Sequence, residues 1–88
     1  MSEQEVEGKL IGKITHYFDH IQVAVISLEA ALKQDDIIRI VGGDVDFEQP
    51  VDSMEVEHKK ITKAKKGDEV GLKVKEKVRS GYRVYKIE

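Results

Sequence analysis

Four lysines lie around a Gly-Asp pair in the stretch KAKKGDEVGLKV, residues 63–74. A glycine among cations could hold a phosphate, provided that backbone N–H groups and a helix N-terminus converge there. The residues that follow instead alternate Val70, Leu72 and Val74 with polar or small ones, which is a strand pattern. No GxxxxGK[ST] run occurs in the chain. The stretch therefore reads as a turn feeding a strand, and nucleotide hydrolysis is disfavoured. The pair Gly42-Gly43 likewise ends a strand and leads into acidic residues.

Other residues of chemical type are scattered. His16 and His20 are four apart, a spacing that brings two ligands onto one face of a helix. Here they straddle a strand end, THYFDH, where that spacing does not converge them, and Asp19 adds one carboxylate. They read as hydrogen-bonding turn residues. His58 stands alone at a strand end as a packing or surface residue. The carboxylate pairs Asp35-Asp36, Asp44/Asp46 and Glu55/Glu57 suit acid–base work or a hard cation in principle. They fall in turns or on the outer side of an alternating strand and lack further ligands. No serine sits in a nucleophile elbow, and no histidine has a sequence neighbour to orient it. The expectation is a non-enzyme with no catalytic residue, metal or cofactor.

A binding surface has more support. Residues 1–58 carry thirteen acidic and four basic residues, a formal −9, and residues 59–88 carry eleven basic and four acidic, a formal +7, which together give −2. Such a split points to an anionic partner or to faces that neutralise each other. Lys59, Lys60, Lys63, Lys65 and Lys66 form a first candidate group for phosphate contact, with Lys73, Lys75, Lys77 and Arg79 as a second. Tyr82 and Tyr85 lie among Arg79, Arg83 and Lys86, the mixture of aromatic faces and cations that single-stranded nucleic acid favours. The plainer reading gives Phe18, Phe47 and one tyrosine to the core.

These residues must be positioned by strands. The period along the chain is two. KLIGKITHY places Leu10, Gly12, Ile14 and His16 on one side and Ile11, Lys13, Thr15 and Tyr17 on the other. IQVAVISL, DIIRIVG, VDSMEVEHKKI, EVGLKVKEKV and RVYKI are further strand-like runs, separated by FDH, KQDD, GGD, KKGD and SGY turns. Phe47 falls in a loop. Pro50, without an N–H, suits a strand start or an edge. SLEAALK, residues 27–33, is long enough for one helical turn only. Six or more short strands without a βαβ rhythm predict an all-β fold, a small closed antiparallel barrel. Residues 1–8 are expected as a flexible acidic N-terminus and residues 9–88 as the single domain. With 88 residues, 40% hydrophobic and 36% charged, one core is affordable. Cysteine is absent, no apolar run approaches the ~18 residues of a membrane span, and the acidic start is unlike a targeting peptide. The default location is the cytoplasm.

The order of motifs resembles the second domain of translational GTPases, the β-barrel domain of the elongation factor Tu class. Gly12 opens the pattern, Ser53-Met54-Glu55 matches its middle strand, and Ala64, Gly67, Asp68, Val70, Gly71 and Leu72 match its A-x-x-G-D-x-V-G-L turn and strand. The first and last Gly-Asp turns of that pattern are Asp35-Asp36 and Gly81-Tyr82 here. The resemblance covers nearly all of residues 8–88, without a GTPase or a third domain. It implies a translation-factor-like module that binds ribosome, rRNA or tRNA. A related barrel is appended to some collagenase-like peptidases. An accessory protein-interaction barrel that acts with a separate enzyme or factor is therefore the other reading.

Overall fold

The computed structural model describes residues 8–43 and 45–87. Residues 1–7 of the expected N-terminal arm, Asp44 of the Asp44/Asp46 pair and Glu88 lie outside them. The strands are β1 (Lys9–Phe18), β2 (Val23–Leu28), β3 (Leu32–Lys33), β4 (Ile37–Gly42), β5 (Val45–Pro50), β6 (Met54–Val56), β7 (Lys59–Ile61), β8 (Lys63–Ala64), β9 (Glu69–Lys73) and β10 (Arg83–Ile87). Their pairings are antiparallel. The domain is a small all-β unit.

The period-two runs form strands because alternate side chains face one core. Ala24, Ile26 and Leu28 of β2, Ile38 and Ile40 of β4, Val70 and Leu72 of β9, and Val84 of β10 are buried together. Each large branched side chain so buried contributes about 1.5–3 kcal/mol. β1 departs from the simple alternation. Ile11 and Ile14, expected on opposite sides, are both buried. The register shift between Leu10 and Gly12 is responsible, since an extra residue in one strand re-aims every side chain after it, and a second shift lies between Ile14 and His16. SLEAALK forms no helical turn: it completes β2, bends, and enters β3. Phe47, expected in a loop, is a buried residue of β5. Val74 and Val78 are buried from the loop after β9, which stops at Lys73 rather than running on to Val78.

The main sheet has the order β5-β4-β10-β1-β2-β9-β6-β7, and β3 pairs with β8 in a small second sheet. The ladder ends at β5 and β7, so the expected closed barrel is not a continuous ladder. Its ends are constrained by chain chemistry. Pro50 terminates β5 without a donor, and Val51 turns inward to exchange backbone bonds with Asp35 and Asp36. β6 and β7 have three residues each. Across the gap reaches Gln49 of β5, a buried polar residue. Its Nε2 donates to the Lys73 carbonyl at 2.9 Å and its Oε1 accepts from the Lys75 N–H at 2.9 Å. The side-chain amide thus does for β5 and the end of β9 what a neighbouring peptide group would do.

The β6–β7 hairpin has a two-residue loop, Glu57-His58, between the paired Val56 and Lys59. Both loop residues are left-handed, with φ of 53° and 68°. This hand matches the twist of the flanking strands, but it normally selects Asn-Gly.

Two stability changes are expected. Gln49→Leu strands the Lys73 carbonyl and Lys75 N–H and lowers unfolding free energy by about 2–3 kcal/mol, read by denaturant titration. His58→Gly relieves a left-handed side chain and raises it by about 0.5–1 kcal/mol, the relief being partly offset by the freer unfolded chain.

Candidate functional site

The residues expected to bind RNA do not assemble into one site. Lys59 and Lys60 are exposed on β7, Lys63 on β8, Lys65 and Lys66 in the turn before β9, and Lys73 at the end of β9. Lys75, Lys77 and Arg79 are exposed on the loop that leads to β10, and Arg83 is exposed on β10. In the ladder, β7 and β10 are separated by β6, β9, β2 and β1. Opposite charges interrupt the set, with Lys60 across from Glu55. Lys63 faces another cation, Lys33. The ammonium of Lys75 lies 6.0 Å from the Phe47 ring centroid.

The tyrosines are not free stacking platforms. Tyr82 is half-buried against the core and lies over Gly42, where an added Cβ would sit 2.3 Å from its Cδ1. Tyr85 is half-buried on the outer face of β10, between Leu10 of β1 and Arg39 of β4 in the cross-strand register. Arg39 in turn donates from Nε and Nη2 to the two carboxylate oxygens of Asp46, each at 2.7 Å. That forked hydrogen bond, helped by the guanidinium charge, holds the Asp46 carboxyl below its ordinary 3.8. His16 and His20 do not meet. The His16 ring packs beside Phe18, at 4.6 Å between centroids. Among the described residues no cluster of three or more His, Cys, Asp or Glu could hold a metal. No described helix is long and apolar enough to cross a membrane.

Smaller pockets are lined by Lys73 with Lys75, Lys60 with Lys63, and Lys77 with Arg79, whereas the outer face of β2, β9 and β6 forms an open groove of about 690 Å³. The second register shift of β1 creates one wall. It places His16 opposite Val25 and Phe18 opposite Val23, so that Phe18 stands on the outer face at 45% exposure. With Ile21, it caps one end of the groove. The floor is Val23, Val25, Ser27 and Gly71. The other wall is Glu55 of β6, level with Gly71, and the Glu57-His58 turn. Gly67, Asp68 and Glu69 close the second end. No lysine or arginine lines it. Sequence reading assigned Phe18 to the core and missed this site, because only the bulge reveals which way the residues after Ile14 point. The signal that could have found it is IQVAVISL, whose odd-numbered valines are apolar and stay half-exposed on the outer face among the described residues.

No family model matches the chain. A curated relative, an uncharacterized protease of Methanocaldococcus jannaschii, is 37% identical over 91 residues; the match covers 94% of this chain and 22% of that protein. The chain thus spans about a fifth of the length of this relative. Two crystal structures of the C-terminal domain of a Geobacillus thermoleovorans protein assigned as a U32 peptidase share the fold at 16% identity. One, with a TM-score of 0.85, covers 98% of this chain and 100% of that one; the other, a selenomethionine variant, scores 0.83 over 88% and 98%. These matches overturn the resemblance to elongation factor Tu domain 2 and, with it, the translation, ribosome-binding and RNA-binding reading. The A-x-x-G-D-x-V-G-L signature has a local cause. Gly67 has φ of 95°, the Asp68 carboxylate accepts from the Lys65 N–H at 3.1 Å, and Val70 and Leu72 enter the core. Any sheet that starts a strand from this turn needs those residues, so they report the turn and not the family. The fold is that of the C-terminal domain of a U32-type peptidase.

Proposed function

We propose that the chain is a non-catalytic accessory β-domain that works beside a peptidase-type catalytic domain by protein–protein contact in the cytoplasm. The observation that carries this reading is the match of 94% of the chain to about a fifth of a protease relative. An accessory domain of this kind needs a stiff sheet that presents a face, and the rolled sheet supplies one. In this reading the sheet acts as a closed barrel, with Gln49 bridging β5 to the end of β9 where the ladder stops. Lys59, Lys60, Lys63, Lys65, Lys66, Lys73, Lys75, Lys77, Arg79 and Arg83 then serve as solvated charges that keep the sheet soluble and limit edge-to-edge pairing at β7 and β8.

Chemical cross-linking of the protein in a native extract, followed by mass spectrometry, tests the proposal. Recovery of cross-links to a peptidase catalytic domain is the expected result. Cross-links confined to ribosomal proteins, or none above a heat-unfolded control, would overturn it.

A further inference from the structure

The groove on the outer face of β2, β9 and β6 contains a glycine that the fold does not require. Gly71 has no positive φ, and a Cβ built on it would meet only Val23 Cγ1 at 3.4 Å and the Glu55 carbonyl oxygen at 3.8 Å, ordinary contacts. Gly12, by contrast, is crowded: a Cβ there would lie 2.4 Å from the Ser27 carbonyl oxygen. A strand-interior glycine costs stability, and one with neither a steric reason nor a bulge is suited to the close approach of another backbone. Gly71 sits on the groove floor beside Val25.

The groove also has a direction. From Val23 to Ser27 it runs along β2 for four residue steps, about 14 Å. One end is apolar, with Phe18 at 45% and Ile21 at 59% exposure. The other end and the β6 wall carry Asp68, Glu69, Glu55 and Glu57. None of Glu55, Glu57 and Glu69 is in an ion pair among the described residues, although Lys60 stands outside the groove across from Glu55. Lys13 and Lys73 stand beyond Ser27 and Val23 in the cross-strand register, but no lysine or arginine lines the groove itself, so its lining favours a basic ligand.

We propose that this groove binds an extended protein segment of about five residues, with a large apolar side chain at the Phe18–Ile21 end and lysine or arginine at the Asp68–Glu69 end. Gly71 lets its backbone lie close to β9. The proposal rests on the accessory-domain reading for the source of the segment, a partner protein, but the groove's chemistry can be tested without that partner.

The test is a titration of the full chain, followed by ¹⁵N–¹H NMR, with the probe peptide acetyl-Lys-Lys-Thr-Val-Leu-amide and with its charge-reversed form acetyl-Glu-Glu-Thr-Val-Leu-amide. Expected are saturable shifts centred on the amides of Val25, Glu55 and Gly71 with the basic peptide. The acidic peptide should bind at least tenfold more weakly, and raised salt should weaken the basic one. Gly71→Val, which fills the floor with a residue that strands favour, should keep the fold and weaken binding at least tenfold. Should that variant fail to fold, exposed Glu55→Gln gives a weakening of at least threefold, whereas Glu48→Gln on β5, outside the groove, gives none. Equal binding of the two peptides, shifts confined to other faces, no saturation at roughly 1 mM peptide, or wild-type affinity in the soluble groove variants would overturn the proposal. Absent peptide binding with peptidase cross-links intact removes the groove and keeps the accessory domain; the converse removes the accessory domain and keeps the groove.

Discussion

An antiparallel sheet that curls around a core must do something with its ends, and here one side-chain amide ties the β5 end to the end of β9. Gln49 donates to the last carbonyl of β9, at Lys73, and accepts from the N–H of Lys75 just beyond it. A buried amide is tolerated only when both its polar ends are satisfied. The two bonds therefore fix the distance between β5 and β9. Leucine at position 49 would be more apolar but could not carry the ladder across the gap.

Much of the fold was legible because period two is a simple code. Val70, Leu72 and Val74 face inward as read, and so does Val84. The turns at Asp35, Gly43, Gly67 and Gly81 have the left-handed backbone their residue types announce. That the ladder stays open was not legible, because closure depends on where strands stop. Pro50 ends β5 by its own lack of an N–H, and Val51 then turns inward onto Asp35 and Asp36, which are distant in sequence. In β1 the alternation failed at two bulges. A bulge inserts a residue without any composition of its own, so Phe18 looked like a core residue although it is exposed.

The candidate site was less legible than the fold for a related reason. The lysines are abundant, and abundance invites a patch, yet strand order disperses them from β7 to β10. The most specific-looking motif, Ala64 to Leu72, satisfies, Gly71 apart, the local needs of one turn and one strand. Residues that a fold must have in order to turn are shared by unrelated chains with the same local geometry. They are poor witnesses to function, and they led to the translation reading that the relatives contradict.

Better witnesses are residues that the fold could do without. Glu57 and His58 occupy a turn that Asn-Gly would fill with less strain, Phe18 and Ile21 expose rings and methyls that the core could not use, and Gly71 forgoes a side chain its site could accept. Each is a small cost to stability. The three departures border the same groove. A sheet under no demand other than its own stability would have no reason to gather them on one face, and an apolar floor with acidic walls is the arrangement that a basic, extended segment would need. Stability and binding thus make opposite demands on β6 and β9, and the residues there follow the second.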